Sequence, residues 1–195
     1  MSAGFKYNLN APDVVEELYD VQTGHRKRGA YRLNTAGLVV GTTLPNLTPV
    51  AVDLAKRTCV VVKNVKVLAE VPAEATTIQI AKNSLVEVGM FLGNGAKGAK
   101  VTAVDKSHSE YDTVTFEAAI GAKIAKGTVL FEATAVGGTT PKNKANFLIY
   151  GHTKVEAGIV LVALLMQAYE IQEDKLTLPV SEKDKETLTS RFQFE

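Results

Sequence analysis

Between Thr76 and Ala133 the chain is a succession of short apolar runs separated by turn residues. Residues 76–80, 85–92, 100–104, 111–116 and 126–131 are rich in Val, Ile, Thr and Phe, and they recur at roughly ten-residue intervals, the spacing of a small antiparallel β domain. Successive side chains of a strand point to opposite faces, so alternating or continuous apolar runs of this length suit strands. None of them sustains the 3.6-residue apolar stripe of an amphipathic helix. The stretch holds no cluster of reactive side chains, so it reads as a shape that presents a surface.

Two polar, Gly- and Pro-bearing linkers bracket this stretch, at 70–75 and 135–144. They predict a β subdomain over 73–135 inserted into a base built from 35–72 and 136–195. A unit of that size buries only about 60% of its unfolded surface, so it is expected to lean on the rest of the chain or on another subunit. Strand candidates in the base are 38–41, 49–53, 59–62 and 65–68, with Pro45 and Pro49 marking edge or turn positions. A loose repeat sets an apolar residue three positions before a glycine: Leu38 and Gly41, Val86 and Gly89, Ile124 and Gly127, Val155 and Gly158. It predicts four turns with positive φ, each leading into a strand of one rolled β architecture. The apolar stretch 158–169 fits a buried helix and a strand buried on both faces about equally; its place after Gly158 favours strand. Ser181 with Asp184 three residues on has the form of a helix N-terminus, predicting a short helix over 182–189. Phe192 and Phe194 alternate like a closing strand.

Residues 1–34 differ. Phe5, Tyr7 and Leu9 alternate with polar residues, as a short strand would. Pro12 suits the first turn of a short helix through Val14, Val15, Leu18 and Tyr19. A basic run follows, with Arg26, Lys27 and Arg28 between Gly24 and Gly29, and then Arg32. It reads either as a solvated loop or as an arm whose cations meet an acidic partner. The segment has too little apolar material to fold by itself.

Composition narrows the function. The 195 residues allow one domain or two small ones. With 22 basic and 21 acidic residues and a net charge of +1, the chain lacks the electrostatic footprint of a nucleic-acid binder. Residues 159–166, the longest apolar run, fall far short of the roughly 20 that cross a bilayer. The polar start, residues 1–10, has no signal-peptide core, so synthesis in a cytoplasm is expected. The lone Cys59 excludes an intramolecular disulfide framework and reads as a small buried hydrophobe in a strand.

A search for chemistry finds none. His25, His108 and His152 have no partners at ligand spacing. Residues 105–110 combine acid, hydroxyl and imidazole, but neighbours on one tight turn rarely converge as a triad does, so a polar hairpin tip is expected. Residues 93–100 have the flavour of a phosphate loop, yet Gly98 is followed by Ala99-Lys100 and joins apparent strands without a helix. Glu170, Glu173 and Asp174 lack the periodicity of a calcium loop. No catalytic residue, metal site or cofactor is expected, and the chain is expected not to be an enzyme.

Several stretches resemble head-decoration and head-fibre proteins of tailed bacteriophages. They are Pro49-Val50-Ala51-Val52-Asp53-Leu54-Ala55-Lys56-Arg57, Val86-Glu87-Val88-Gly89, Thr102-Ala103-Val104-Asp105, and Ile124 through Phe131. Residues 147–195 resemble the closing section of such proteins, where a glycine-bearing apolar strand precedes a polar segment, a short helix and a last strand. Met90 stands after Gly89 where similar units carry Asp. The resemblance covers residues 35–195. It implies a mainly β chain with a tulip-like β-roll base, an inserted antiparallel β subdomain and one or two short helices. It further implies a homotrimeric protein on the outer surface of the virion capsid, partnered by the major capsid protein, with no nucleic-acid or membrane partner. By the same resemblance residues 1–34 form the capsid-binding arm, with Phe5, Tyr7, Leu9, Val14, Leu18, Tyr19, Arg26, Lys27, Arg28 and Arg32 as contacts. Such an arm would add as a strand to an exposed sheet edge of the shell. The alternative is a carbohydrate- or host-surface-binding β module, which requires an exposed aromatic cluster.

Overall fold

The apolar run that suits helix and strand alike is a strand of 12 residues, and the rest of the base is assembled along it. The computed structural model describes residues 17–195. In chain order the strands are β1 (His25–Arg26), β2 (Tyr31–Asn34), β3 (Thr43–Leu44), β4 (Pro49–Asp53) and β5 (Thr58–Val61). Then come β6 (Asn64–Lys66), β7 (Thr77–Ala81), β8 (Phe91–Gly93), β9 (Gly98–Asp105), β10 (Tyr111–Phe116) and β11 (Val129–Ala133). The chain closes with β12 (Phe147–Tyr150), β13 (Thr153–Lys154), β14 (Val160–Ile171), helix α1 (Glu182–Leu188) and β15 (Phe192–Phe194). The protein is mainly β, as its sequence predicts.

In the base, β14 pairs with both β12 and β2, and the order β12-β4-β5-β2 leads back to it, so these strands close into a barrel. The β2–β5 pair is parallel and the other pairs of the ring are antiparallel. Register stacks the interior: Val162 faces Tyr31, Leu33 faces Cys59, and Ile149 faces Leu164. With Val50, Val52, Val61, Phe147 and Val160 these residues fill the barrel. Leu164 points inward and Leu165 outward. Beyond the barrel β14 continues, pairing with β1 and, in parallel, with β15. There Leu165, Ala168 and Ile171 pack with Leu148, Val180, Leu188, Phe192 and Tyr19 as a second core outside the barrel.

The second body is a six-stranded sheet in the order β6-β11-β8-β9-β10-β7. A bridge between Val67 and Ile80, with Leu68 N–H donating to the Gln79 carbonyl at 2.9 Å, brings its ends together. Val65, Ile78, Ile80, Leu92, Val101, Val114, Phe116 and Leu130 lie inside. Closure satisfies the backbone groups that an open sheet exposes at its edges. At the β9–β10 hairpin, Lys82 Nζ donates to the Lys106 and His108 carbonyls (3.1 and 2.8 Å) and to the buried Asp112 carboxylate at 2.7 Å. Residues 105–110 thus wrap the half-buried Lys82 ammonium as a polar tip.

The sequence boundaries shift. Residues 64–71 belong to the second barrel, because Val65, Val67 and Val71 are buried in its interior and Val71 bridges Ile124. Residues 25–34 belong to the base sheet, because Tyr31 and Leu33 complete the first barrel's interior. Residues 85–90 form a turn ahead of β8, with Val86 and Met90 buried and Val88 outside. Residues 38–40 lie outside any strand, leaving Val39 and Val40 exposed. At the four predicted corners, Gly41, Gly89, Gly127 and Gly158 have φ of +95°, +92°, +86° and +104°, just ahead of β3, β8, β11 and β14. Nothing lies within 4 Å of a Cβ added at any of them, so backbone conformation alone calls for glycine there.

The barrels are joined through helix α1. Ser181 and Asp184 form the predicted capping box. Asp184, 1% exposed, also accepts from Asn64 Nδ2 and from Ala145 N–H, each at 2.7 Å. Asn64 opens the second barrel and Ala145 leads back into the first, so one carboxylate holds both crossings. Asn64 Nδ2 donates as well to the Pro179 carbonyl (2.9 Å), and Thr187 Oγ1 to the Ala145 carbonyl (2.6 Å). Asp184→Ala leaves buried donors on Asn64 and Ala145 without acceptors and is expected to cost about 3–4 kcal/mol in urea unfolding. Asp184→Asn keeps one acceptor oxygen but turns an NH2 toward those donors, for an expected loss of about 1–3 kcal/mol.

Candidate interaction surface

The face of the base barrel that carries Leu161 and Arg32 is covered by the second core at one end and open at the other. In β14, alternation turns Leu161 and Ala163 outward while Val160 and Val162 fill the interior. Opposite them stand Arg32 on β2 and Tyr150 on β12. Arg26 on β1 lies opposite Leu165 and reaches over the small Ala163, its guanidinium carbon 4.7 Å from the Tyr150 ring centroid. Tyr150 is 38% exposed, Leu161 60% and Ile159, just before β14, 69%. The open face is therefore an apolar strip with arginines beside it.

Among the described residues, Arg26, Lys27, Arg28 and Arg32 make no ion pair. By contrast Lys63, Lys66, Lys82, Lys142 and Lys185 each lie within 3.1 Å of a carboxylate. Residues 25–32 contain no acid. Lys27 is held in place by its backbone, whose N–H donates to the Leu164 carbonyl at 2.8 Å. Arg26 and Arg32 thus stand on strands of the base sheet, and Lys27 and Arg28 lie in the connection between them.

The other expected contact residues divide. Phe5, Tyr7, Leu9 and Val14 lie outside the described residues. Leu18 and Tyr19 turn inward onto the core outside the barrel, in a bend followed by a 3-10 turn and not in the expected helix. Burial, and secondarily the neighbouring Tyr150, push the Tyr19 hydroxyl above its ordinary value. Tyr150, Ile159 and Leu161 were not singled out in the sequence. Their apolar neighbours run on both sides, so alternation within 159–163 becomes visible only once β14 is known to be a barrel strand.

Chemistry is sparse elsewhere. Among the described residues no group of three or more His, Cys, Asp and Glu side chains could hold a metal ion, and no helix is long and apolar enough to cross a membrane. Phe116 and Phe131 are buried, and the Tyr111 ring is stacked under His108 at 3.7 Å, so these aromatics form no open platform. A family model described as head fiber protein matches residues 1–193. No curated protein and no solved structure matches the chain.

Cys59, inside the base barrel and 1% exposed, has its thiol pushed up to about 12 by burial. In the native protein at pH 8 it is expected to resist iodoacetamide and to react only on unfolding. The folded thiol keeps its proton where the unfolded one loses it. Stability should therefore fall by about 1.4 kcal/mol per pH unit from roughly pH 9 upward, as far as the folded value. Cys59→Ala should remove this component from the pH dependence measured by urea unfolding.

Proposed function

The chain belongs to the head fiber protein family, and from that premise we propose that it binds the outer surface of a bacteriophage head and decorates or reinforces it. Family membership makes it a structural protein of the virion. The observation that carries the finer reading is Arg32 opposite the exposed Leu161 and Arg26 over the Tyr150 ring, with Lys27 and Arg28 following Arg26 in the chain and none of the four in an ion pair among the described residues. Cations around an apolar strip match an acidic surface with an apolar centre: the charges steer and orient, and the strip supplies burial. The partner is the major capsid protein. Phe5, Tyr7, Leu9 and Val14 extend the same contact as an arm. The copies form homotrimers on the shell, packing through exposed apolar residues of the base, and the second barrel projects away from it. Repetition over the shell lets modest contacts add through multivalency. No nucleic acid, membrane, metal or catalytic step has a part in this.

The test is sedimentation with purified heads. The wild-type chain is expected to co-sediment with heads, more weakly as salt rises. The triple variant Arg26→Glu, Arg28→Glu, Arg32→Glu is expected to lose at least about tenfold in affinity. Lys97→Glu with Lys126→Glu, exposed on the second barrel, should bind as wild type. Equal binding by the triple variant would remove this face from the contact, and a wild-type chain that never co-sediments would remove head attachment itself.

A further inference from the structure

A groove of about 560 Å³ runs between one mouth of the base barrel and the second barrel. Leu38, Val39 and Leu44 form one wall, Leu85 and Val86 the other, with Leu178 between them. Leu44 and Leu178 are part of the barrel interior, and Leu38 and Leu85 pack against it, so the apolar floor is continuous with the core. Ser84 also lines the groove. It is 8% exposed, and its buried hydroxyl has no hydrogen-bond partner in the described structure, although such groups are almost always satisfied. Three charged or titratable side chains line the rim: Glu87, Lys106 and His152. The Glu87 carboxylate is held by Lys63 at 3.1 Å. Lys106 and His152 are exposed and, among the described residues, without an ion pair. A larger cleft of about 790 Å³ between the barrels differs here, because its lining cations, Lys63 and Lys142, pair with its own Glu87 and Glu132.

We propose that the groove at the barrel mouth binds a small amphiphile, an apolar body carrying one anionic head such as a carboxylate or sulfonate. The volume falls within the usual span of ligand sites, about 300–1,000 Å³, and barrel mouths are a favoured place for them. The body lies on Leu38, Leu44, Leu85 and Leu178, Ser84 Oγ donates to an acceptor on it, and the head meets Lys106. The site is independent of attachment to a head and is tested on the free chain.

Anilinonaphthalene sulfonate, an aromatic body with a single sulfonate, is the probe, titrated by fluorescence into the full-length protein. Saturable binding of one equivalent, displaced by dodecanoate, is expected. Val39→Trp, which fills the groove from an exposed position, should abolish it. Lys106→Glu should weaken the sulfonate by about tenfold while leaving the uncharged phenylnaphthylamine unchanged. Ser84→Ala should weaken binding without lowering the melting temperature. Val40→Ser and Val136→Ser, exposed positions outside the groove lining, serve as controls. Non-saturable fluorescence, or binding lost in these controls and kept in Val39→Trp and Lys106→Glu, would overturn the proposal.

Discussion

Asp184 is the point at which the two barrels become one molecule. Its carboxylate is buried, takes Asn64 at the start of one barrel and Ala145 on the return to the other, and caps the helix between Pro179 and β15. A buried carboxylate is costly unless every lone pair has a donor. Here backbone N–H groups, an amide and a hydroxyl supply them. That requirement fixes where the crossings run, and so where the barrel mouth, the groove and the inter-barrel cleft lie. Gly138 helps to set the return crossing, its backbone lying so close to Gly93 and Gly98 that side chains there would collide with it.

Barrel closure shapes how such a protein can interact. With the rings shut, the barrels offer few unpaired strand edges, so contact has to come through faces and loops. The exposed apolar residues follow suit: Leu161 on an outer face, Val39, Val40 and Ile159 in loops at the same end of the base, and Val88 and Val136 on turns of the second barrel. The arginines of β1 and β2 are held on that outer face by strand pairing with β14. Their positions are fixed before any partner arrives, which lowers the ordering cost of binding.

Much of the local structure could be read from residues. The four glycine corners, the Ser181–Asp184 capping box and the short strands of the second barrel carry short-range signals: positive φ, a side chain facing a helix end, and period-two alternation. Subdomain boundaries were less legible. Val65, Val67 and Val71 look the same whether they pack into one barrel or the other, and Tyr31 and Leu33 lie in a segment whose polarity suggests an arm. The candidate face was half legible. Arg26, Lys27, Arg28 and Arg32 stand out as a basic run, while Leu161 and Ile159 are hidden in an unbroken apolar stretch.

The sequence by itself determined that this chain would be mainly β and where its strands would be punctuated by glycine. These depend on local conformational preference and on composition, which need no partner. Only the tertiary structure decided that both bodies close into barrels, that the basic segment puts Arg26 and Arg32 on two strands that each pair with β14, and that Asp184, Asn64 and Ala145 meet. Closure of the base barrel and the convergence at Asp184 rest on contacts between segments more than a hundred residues apart, as between β2 and β14 and between Asn64 and Asp184. Such long-range pairings are chosen by which arrangement buries the most apolar surface while satisfying every backbone group, a condition on the whole chain that no single stretch contains.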